Sequence, residues 1–297
     1  MSPNEICQSK AAPDGSSLYY ALLFLPDEQR CASTAIHAFY QEVSTILEKV
    51  NDPGVAQTKL AWWHEQITFL FLGRAQHPVL KALQPYLHQY DLAASLFHKI
   101  IDGVEAELYI SQFNDWPQLK ACFQQAHGAV ETLCAHVYGY QNESTLEYAR
   151  HLGLALRLST MVRDIGLNAR NGRIYLPQQE LERFNVSEND VFQRRYSPEF
   201  KALMKFQAAR ARYYFGQAAA ALTDSDRRSQ RPGLLSAALA NALLKELERD
   251  DWRVLEQQLS LTPIRKFWLA WKTWNLSSSH LLRRLRQAPE PRLSATP

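Results

Sequence analysis

Apolar residues recur at helical spacing along almost the whole chain, and no run alternates as a half-buried strand would. Leu60, Trp63, Ile67 and Leu70 mark one helix face, which Gly73 ends; Leu80, Leu83 and Leu87 continue a second helix after Pro78. Pro26 and Asp27 open a long helix that runs to Val50. Further helices are predicted over 92–111, 116–140, 143–169, 198–222, 233–257 and 262–286. The breaks between them (NDPG, FNDWP, LTDSD) are short, so no linker divides the chain, and no repeat or low-complexity block interrupts it. The pattern predicts one all-α domain of about ten helices. Residues 1–15 (MSPNEICQSKAAPDG) read as a disordered lead-in, 16–287 as the domain, and 288–297 as a flexible tail.

Composition narrows the picture only a little. Of 297 residues, 46% are hydrophobic and 21% charged, as in an ordinary soluble globular protein able to bury a sizeable core. The longest apolar run, Leu18 to Leu25, is too short to span a bilayer, and the first residues lack the apolar core of a signal peptide. A net charge of +3 does not by itself imply nucleic acid, which is not an expected partner. Cys7, Cys31, Cys122 and Cys134 have no metal-ligand spacing and read as free thiols in a reducing compartment. The expected location is the cytoplasm, with the inner face of a membrane as a further option.

Chemistry concentrates where one helical pattern ends, in VRDIGLNARNGRIYLP, residues 162–177. Arg157, Met161, Asp164 and Asn168 share a helix face. A carboxylate and an amide oxygen one turn apart can ligate magnesium, which prefers oxygen. The guanidinium groups of Arg163, Arg170 and Arg173 suit bidentate binding of phosphate oxygens. The same residues also fit an ordinary helix C-terminus, with arginines offsetting the macrodipole and one of them pairing with Asp164. Spacing leaves both readings open.

RDIGLNARNGRIYLP resembles the second aspartate-rich region of squalene/phytoene synthases, which reads like RDVGEDxxxGRxYLP. The likeness extends over most of the chain. SSLYYALLFLP, AIHAFYQEV, KLAWWHEQITFLFLGRAQHPV, IIDGVEAEL, YARHLGLALRLS, ARARYYFGQA and DRRSQRPGLL match in order and spacing. In look the chain is most similar to the bacterial presqualene diphosphate synthases of hopanoid pathways. The resemblance implies a class I isoprenoid (terpenoid) synthase fold, with helices around a central cavity. It implies magnesium held between two acidic motifs, and head-to-head joining of two prenyl diphosphates such as farnesyl or geranylgeranyl diphosphate. A departing diphosphate needs its growing charge neutralised by metal and arginine. On that basis Asp164, Glu48 and Tyr175 are the expected catalytic residues. Ser17, Arg157, Arg163, Arg170 and Arg173 are expected on diphosphate, and Asp164, Asn168, Ser44 and Glu48 on magnesium.

Several positions depart from the family pattern. Where the first acidic motif reads like FCREVDDVVDE, this chain has FYQEVSTILEK from Phe39 to Lys49. The family aspartates fall on Ser44, Thr45 and Glu48, its arginine on Gln41, and Lys49 replaces an acid. The last aspartate of the second motif is Asn168. Upstream, a glutamine and an asparagine become Arg157 and Thr160, and two family tyrosines fall on Cys122 and Ala240. Each exchange of Asp for Ser or Asn removes a charge that a dication needs. Arg157, two turns before Asp164, is placed either to neutralise that carboxylate or to cradle a diphosphate without metal. Three readings remain: a prenyltransferase, a diphosphate-binding protein without catalysis, and an assembly protein on the same fold.

Two other stretches carry weaker signals. Trp62, Trp63, His64 and Glu65 read mainly as helix packing, with Trp63 in the core. IRKFWLAWKTW, residues 264–274, interleaves basic and aromatic residues. Its preferred reading packs the tryptophans inward with the charges in water; a membrane-surface helix is the alternative.

Overall fold

The computed structural model describes residues 1–50, 52–110, 112–275 and 279–291. Fifteen helices are found among them: α1 Pro3–Ala11, α2 Ser17–Leu22, α3 Asp27–Lys49, α4 Pro53–Phe71, α5 Pro78–Leu83, α6 Tyr86–Gln89, α7 Ala94–Tyr109, α8 Trp116–Tyr138, α9 Ser144–Arg170, α10 Gln178–Arg183, α11 Glu188–Phe192, α12 Pro198–Ala221, α13 Arg231–Arg249, α14 Pro263–Asn275 and α15 Ser279–Arg286. One isolated parallel bridge, Gln112 to Ile174, is the β-pairing among the described residues. No described helix is long and apolar enough to cross a membrane.

Differences from the sequence pattern have local causes. The lead-in expected to be disordered is α1, closed by a capping box between Ser2 and Glu5 and anchored through buried Cys7 against α3 and α5. The predicted helix 233–257 stops at Arg249, because Asp251 and Trp252 take left-handed backbone (φ 55° and 59°) and Trp252 turns into the core. The predicted helix 262–286 becomes α14 and α15, with residues 276–278 between them outside the described set. In the expected tail, 292–297 also lie outside the described residues.

Helix α9 is the axis of the fold, packed on α8, α12 and α13. A second cluster, built by α1, α3, α4, α5 and α7, joins it through α8. Trp63 lies in this cluster, edge-on to Phe39 at 5.4 Å, while Trp62 remains exposed. The segment after α9 is held by α10, whose buried Glu180 accepts from Arg210 (3.0 and 2.5 Å) and Gln207 (2.5 Å) of α12. Backbone bonds from Gln178 to Phe113 and from Gln179 to Asn114 fix the same segment.

The connection after α13 lies directly on α9. Gly166 makes this possible, since a Cβ there would sit 2.2 Å from the carbonyl oxygen of Leu255. Tyr196 steadies the connection by accepting from the backbone N–H groups of Leu255 and Glu256. The obstacle is backbone rather than a yielding side chain, so Gly166→Ala is expected to cost about 2 kcal/mol, as overpacking of a tight core does. Urea unfolding would read this as a lower midpoint at unchanged slope.

Candidate functional site

A cavity of about 70 Å³ opens where α3, α7, α9 and the segment after α9 meet. Ser44, Glu48, Arg157, Asn168, Arg173 and Tyr175 line it together with Glu107. Six residues proposed from the sequence, drawn from three separate stretches, therefore converge. Glu48 is exposed at its position on α3, whereas Glu107 is buried on α7.

Glu107 organises the cavity. The Tyr175 hydroxyl donates to its Oε2 at 2.8 Å, and Arg157 Nη2 lies 3.6 Å from the same oxygen. Arg173 Nη1 donates to its backbone carbonyl at 3.0 Å. The Arg157 guanidinium stacks on the rings of Phe123 (4.6 Å) and Tyr175 (4.9 Å), so it fills space as well as carrying charge. Burial is the largest single influence and opposes that charge, but the Glu107 carboxylate together with Tyr40, Tyr175 and Cys122 outweighs it and raises the Arg157 pKa above its usual value. Burial, with Glu107 beside it, pushes the Tyr175 phenol up, which keeps it a donor. Beyond Arg157, Tyr40 and His127 share a 2.9 Å hydrogen bond. Burial raises Tyr40 to about 12; burial first and Arg157 second hold His127 well below the ordinary imidazole range.

Other expected residues lie elsewhere. Asp164 sits between Arg157 and Asn168 on the same helix face, yet it is not among the cavity-lining residues. Arg163 Nε and Nη2 reach it at 2.7 and 2.5 Å, and Gln258 Nε2 donates to it at 2.6 Å. Arg163 is thereby paired with its neighbour Asp164 and is not among the lining residues. Ser17, exposed in the first turn of α2, and exposed Arg170 are not among the lining residues. Glu42, retained in the first motif, pairs with Lys10 of α1 at 2.7 Å, away from the lining. The Ser44 hydroxyl donates to the Gln41 carbonyl one turn back, at 3.4 Å.

Sequence reasoning missed Glu107 and Gln258 as site residues. Glu107 had a signal: it continues the apolar stripe of Ile100 and Val104, where an acid must have a partner. Gln258 had none, because its place depends on the connection that crosses Gly166.

The squalene/phytoene synthase family description matches residues 12–265 of this chain. The chain belongs to that family. It is 28% identical over 277 residues to 15-cis-phytoene synthase of Synechococcus elongatus, covering 88% of this chain and 89% of that protein. It is also 28% identical over 254 residues to chloroplastic phytoene synthase 1 of Zea mays, covering 84% of this chain and 61% of the maize protein. The chain thus spans about three fifths of the maize protein's length. Among solved structures, a dehydrosqualene synthase in complex with ligand superposes with a TM-score of 0.81 at 19% identity, covering 94% of this chain and 96% of that one. Squalene synthase HpnC from Alicyclobacillus acidocaldarius gives 0.73 at 20% identity, covering 84% and 94%. These likenesses establish the terpenoid-synthase fold that the motifs implied.

The buried Glu107–Arg157 pair is open to direct measurement. Glu107→Gln leaves the guanidinium without its carboxylate and should destabilise the protein by about 3 kcal/mol. The same change in an Arg157→Met background should cost much less. Urea curves on the four proteins give the coupling, and additive losses would contradict the pairing.

Proposed function

We propose that this family member binds the diphosphate group of a prenyl diphosphate through cationic side chains and does not carry out the condensation. The observation that carries this reading is the position of Arg157, stacked on Phe123 and Tyr175 and paired with Glu107 in the central cavity. Arg157 and Arg173 put two guanidinium groups in the lining, where they can meet phosphate oxygens. The carboxylates in that lining are Glu48 and Glu107, and Glu107 already faces Tyr175 and Arg157. Asp164 is committed to Arg163 and Gln258. This donor set does not fit a cluster of several magnesium ions, each of which calls for carboxylate charge. A cavity of about 70 Å³ is also far below the ~300–1,000 Å³ of pockets that enclose drug-sized ligands. That size supports capture of a headgroup, with Leu47 and Val104 at the wall yielding to a tail, over the alignment of two chains.

Farnesyl and geranylgeranyl diphosphate, each titrated with magnesium and with chelator, test the reading. Binding should persist in chelator and weaken about tenfold in Arg173→Ala, the loss expected for a charge-assisted hydrogen bond. Neither diphosphate release nor a longer hydrocarbon should follow. A magnesium-dependent hydrocarbon product would overturn it and make the chain a synthase.

A second reading concerns a membrane surface. Contrary to the preferred sequence reading, α14 exposes Ile264 (82%), Phe267 (47%), Trp268 (52%) and Trp271 (48%) while burying Lys266, which donates to the Gly15 carbonyl at 2.8 Å. Only Trp274 of its tryptophans turns inward, beside Phe24 at 5.6 Å. The exposed residues follow one helix stripe, and Lys272 sits 4.8 Å from the Trp268 ring. An aromatic stripe with a cationic flank supports peripheral contact with anionic lipid. Trp268→Ser with Trp271→Ser should reduce co-sedimentation with phosphatidylserine vesicles severalfold while leaving prenyl diphosphate affinity unchanged. Equal sedimentation of both proteins would refute the contact.

A further inference from the structure

The side of α7 opposite the cavity carries a different constellation. Val104 and Glu107 line the cavity, and a helix turns about 100° per residue, so Asp102 and Glu105 fall on the other side. His98, one turn before Asp102, shares their face. Across from them α4 presents His64. Its Nε2 is 3.3 Å from Asp102 Oδ1. One ligand atom from each of His64, Asp102 and Glu105 lies within 4.8 Å of the other two.

Each of these residues brings a donor suited to the same ion. Zinc bonds imidazole nitrogen and carboxylate oxygen at about 2.0–2.2 Å, so tetrahedral ligands stand roughly 3.3–3.6 Å apart. The His64–Asp102 separation already has that value. Glu105 needs only a side-chain adjustment to join them, and both its neighbours stand on packed helices. His98 supplies what a lone imidazole lacks. Its Nδ1 is 2.7 Å from His64 Nδ1, with the ring centroids 5.0 Å apart and 9° between the ring planes, as an in-plane N–H···N bond requires. With the proton of that contact on His64 Nδ1, the Nε2 lone pair is directed at the carboxylates. Metal-bound histidines are held in this way by a partner on the second nitrogen. In the metal-free arrangement a proton on Nε2 bridges to Asp102 instead, so metal and proton compete for one lone pair.

We propose that His64, Asp102 and Glu105 form a site for a borderline divalent transition metal such as zinc, with His98 as the positioning residue that orients His64. The imidazole sets it apart from a magnesium site, since magnesium takes oxygen ligands. Three protein ligands leave a position for water. The ion would clasp α4 to α7, the helix that presents Glu107 to the cavity, and its presence does not depend on whether the cavity binds prenyl diphosphate.

The test uses full-length protein dialysed against chelator and then titrated with zinc chloride by calorimetry. One equivalent should bind at micromolar strength, undisturbed by millimolar magnesium, and raise the unfolding temperature by several degrees. His64→Gln and the double variant Asp102→Asn, Glu105→Gln should each weaken binding at least tenfold and remove the thermal shift. His98→Gln should weaken it severalfold at unchanged stoichiometry. All four side chains are at the surface or partly so, and unchanged metal-free unfolding temperatures would show that the variants fold. Zinc affinity that is absent, or equal in wild type and His64→Gln, would overturn the proposal.

Discussion

The cavity depends on one buried ion pair. Arg157 on α9 and Glu107 on α7 lie 3.6 Å apart in a region where an unpaired charge of either sign would be strongly unfavourable. Several neighbours support that pair, while the buried Arg157 Nε has no hydrogen-bond partner. Tyr175 donates to the carboxylate, Phe123 and Tyr175 give the guanidinium two ring faces, and Arg173 closes on the Glu107 carbonyl. His127, kept neutral by burial and by the same guanidinium, can then share a hydrogen bond with Tyr40 rather than compete for the carboxylate. Burial chiefly sets the protonation state of these neighbours, with the pair as a secondary influence, and both members of the pair line the cavity where α3, α7 and α9 meet.

A second constraint acts from outside the cavity. The connection after α13 crosses α9 at Gly166, and the close approach of Leu255 brings Gln258 to Asp164. Arg163 completes the neutralisation of that carboxylate. The aspartate that motif reasoning placed at the centre of metal chemistry is thus held by amide and guanidinium donors, while Glu107, a residue of a different helix, carries the negative charge inside. Family membership and cavity chemistry are separable: the first rests on a scaffold retained over residues 12–265, the second on a handful of side chains.

Much of this was legible in the chain. Helical periodicity gave the all-α class, and the ordered motifs gave the family and the convergence of Ser44, Glu48, Arg157, Asn168, Arg173 and Tyr175. Arg157 stood out because a cation on the motif face demands either an anion or a ligand. Boundaries were less legible where backbone geometry overrides periodicity, as at Asp251 and Trp252. The lead-in helix was missed because its stability comes from burying Cys7 against α3 and α5, contacts distant in sequence.

The sequence by itself determined which residues could share a face, because helix period is a local property of the backbone. It also fixed the family, because many weak matches in order are jointly specific. Only the tertiary structure decided partners. Asp164 could have faced metal, arginine or amide; Trp268 could have faced core or solvent; His64 could have been one more polar residue on a packed helix. Those choices turn on which helix lies across from which, and that depends on long-range packing that no local spacing encodes.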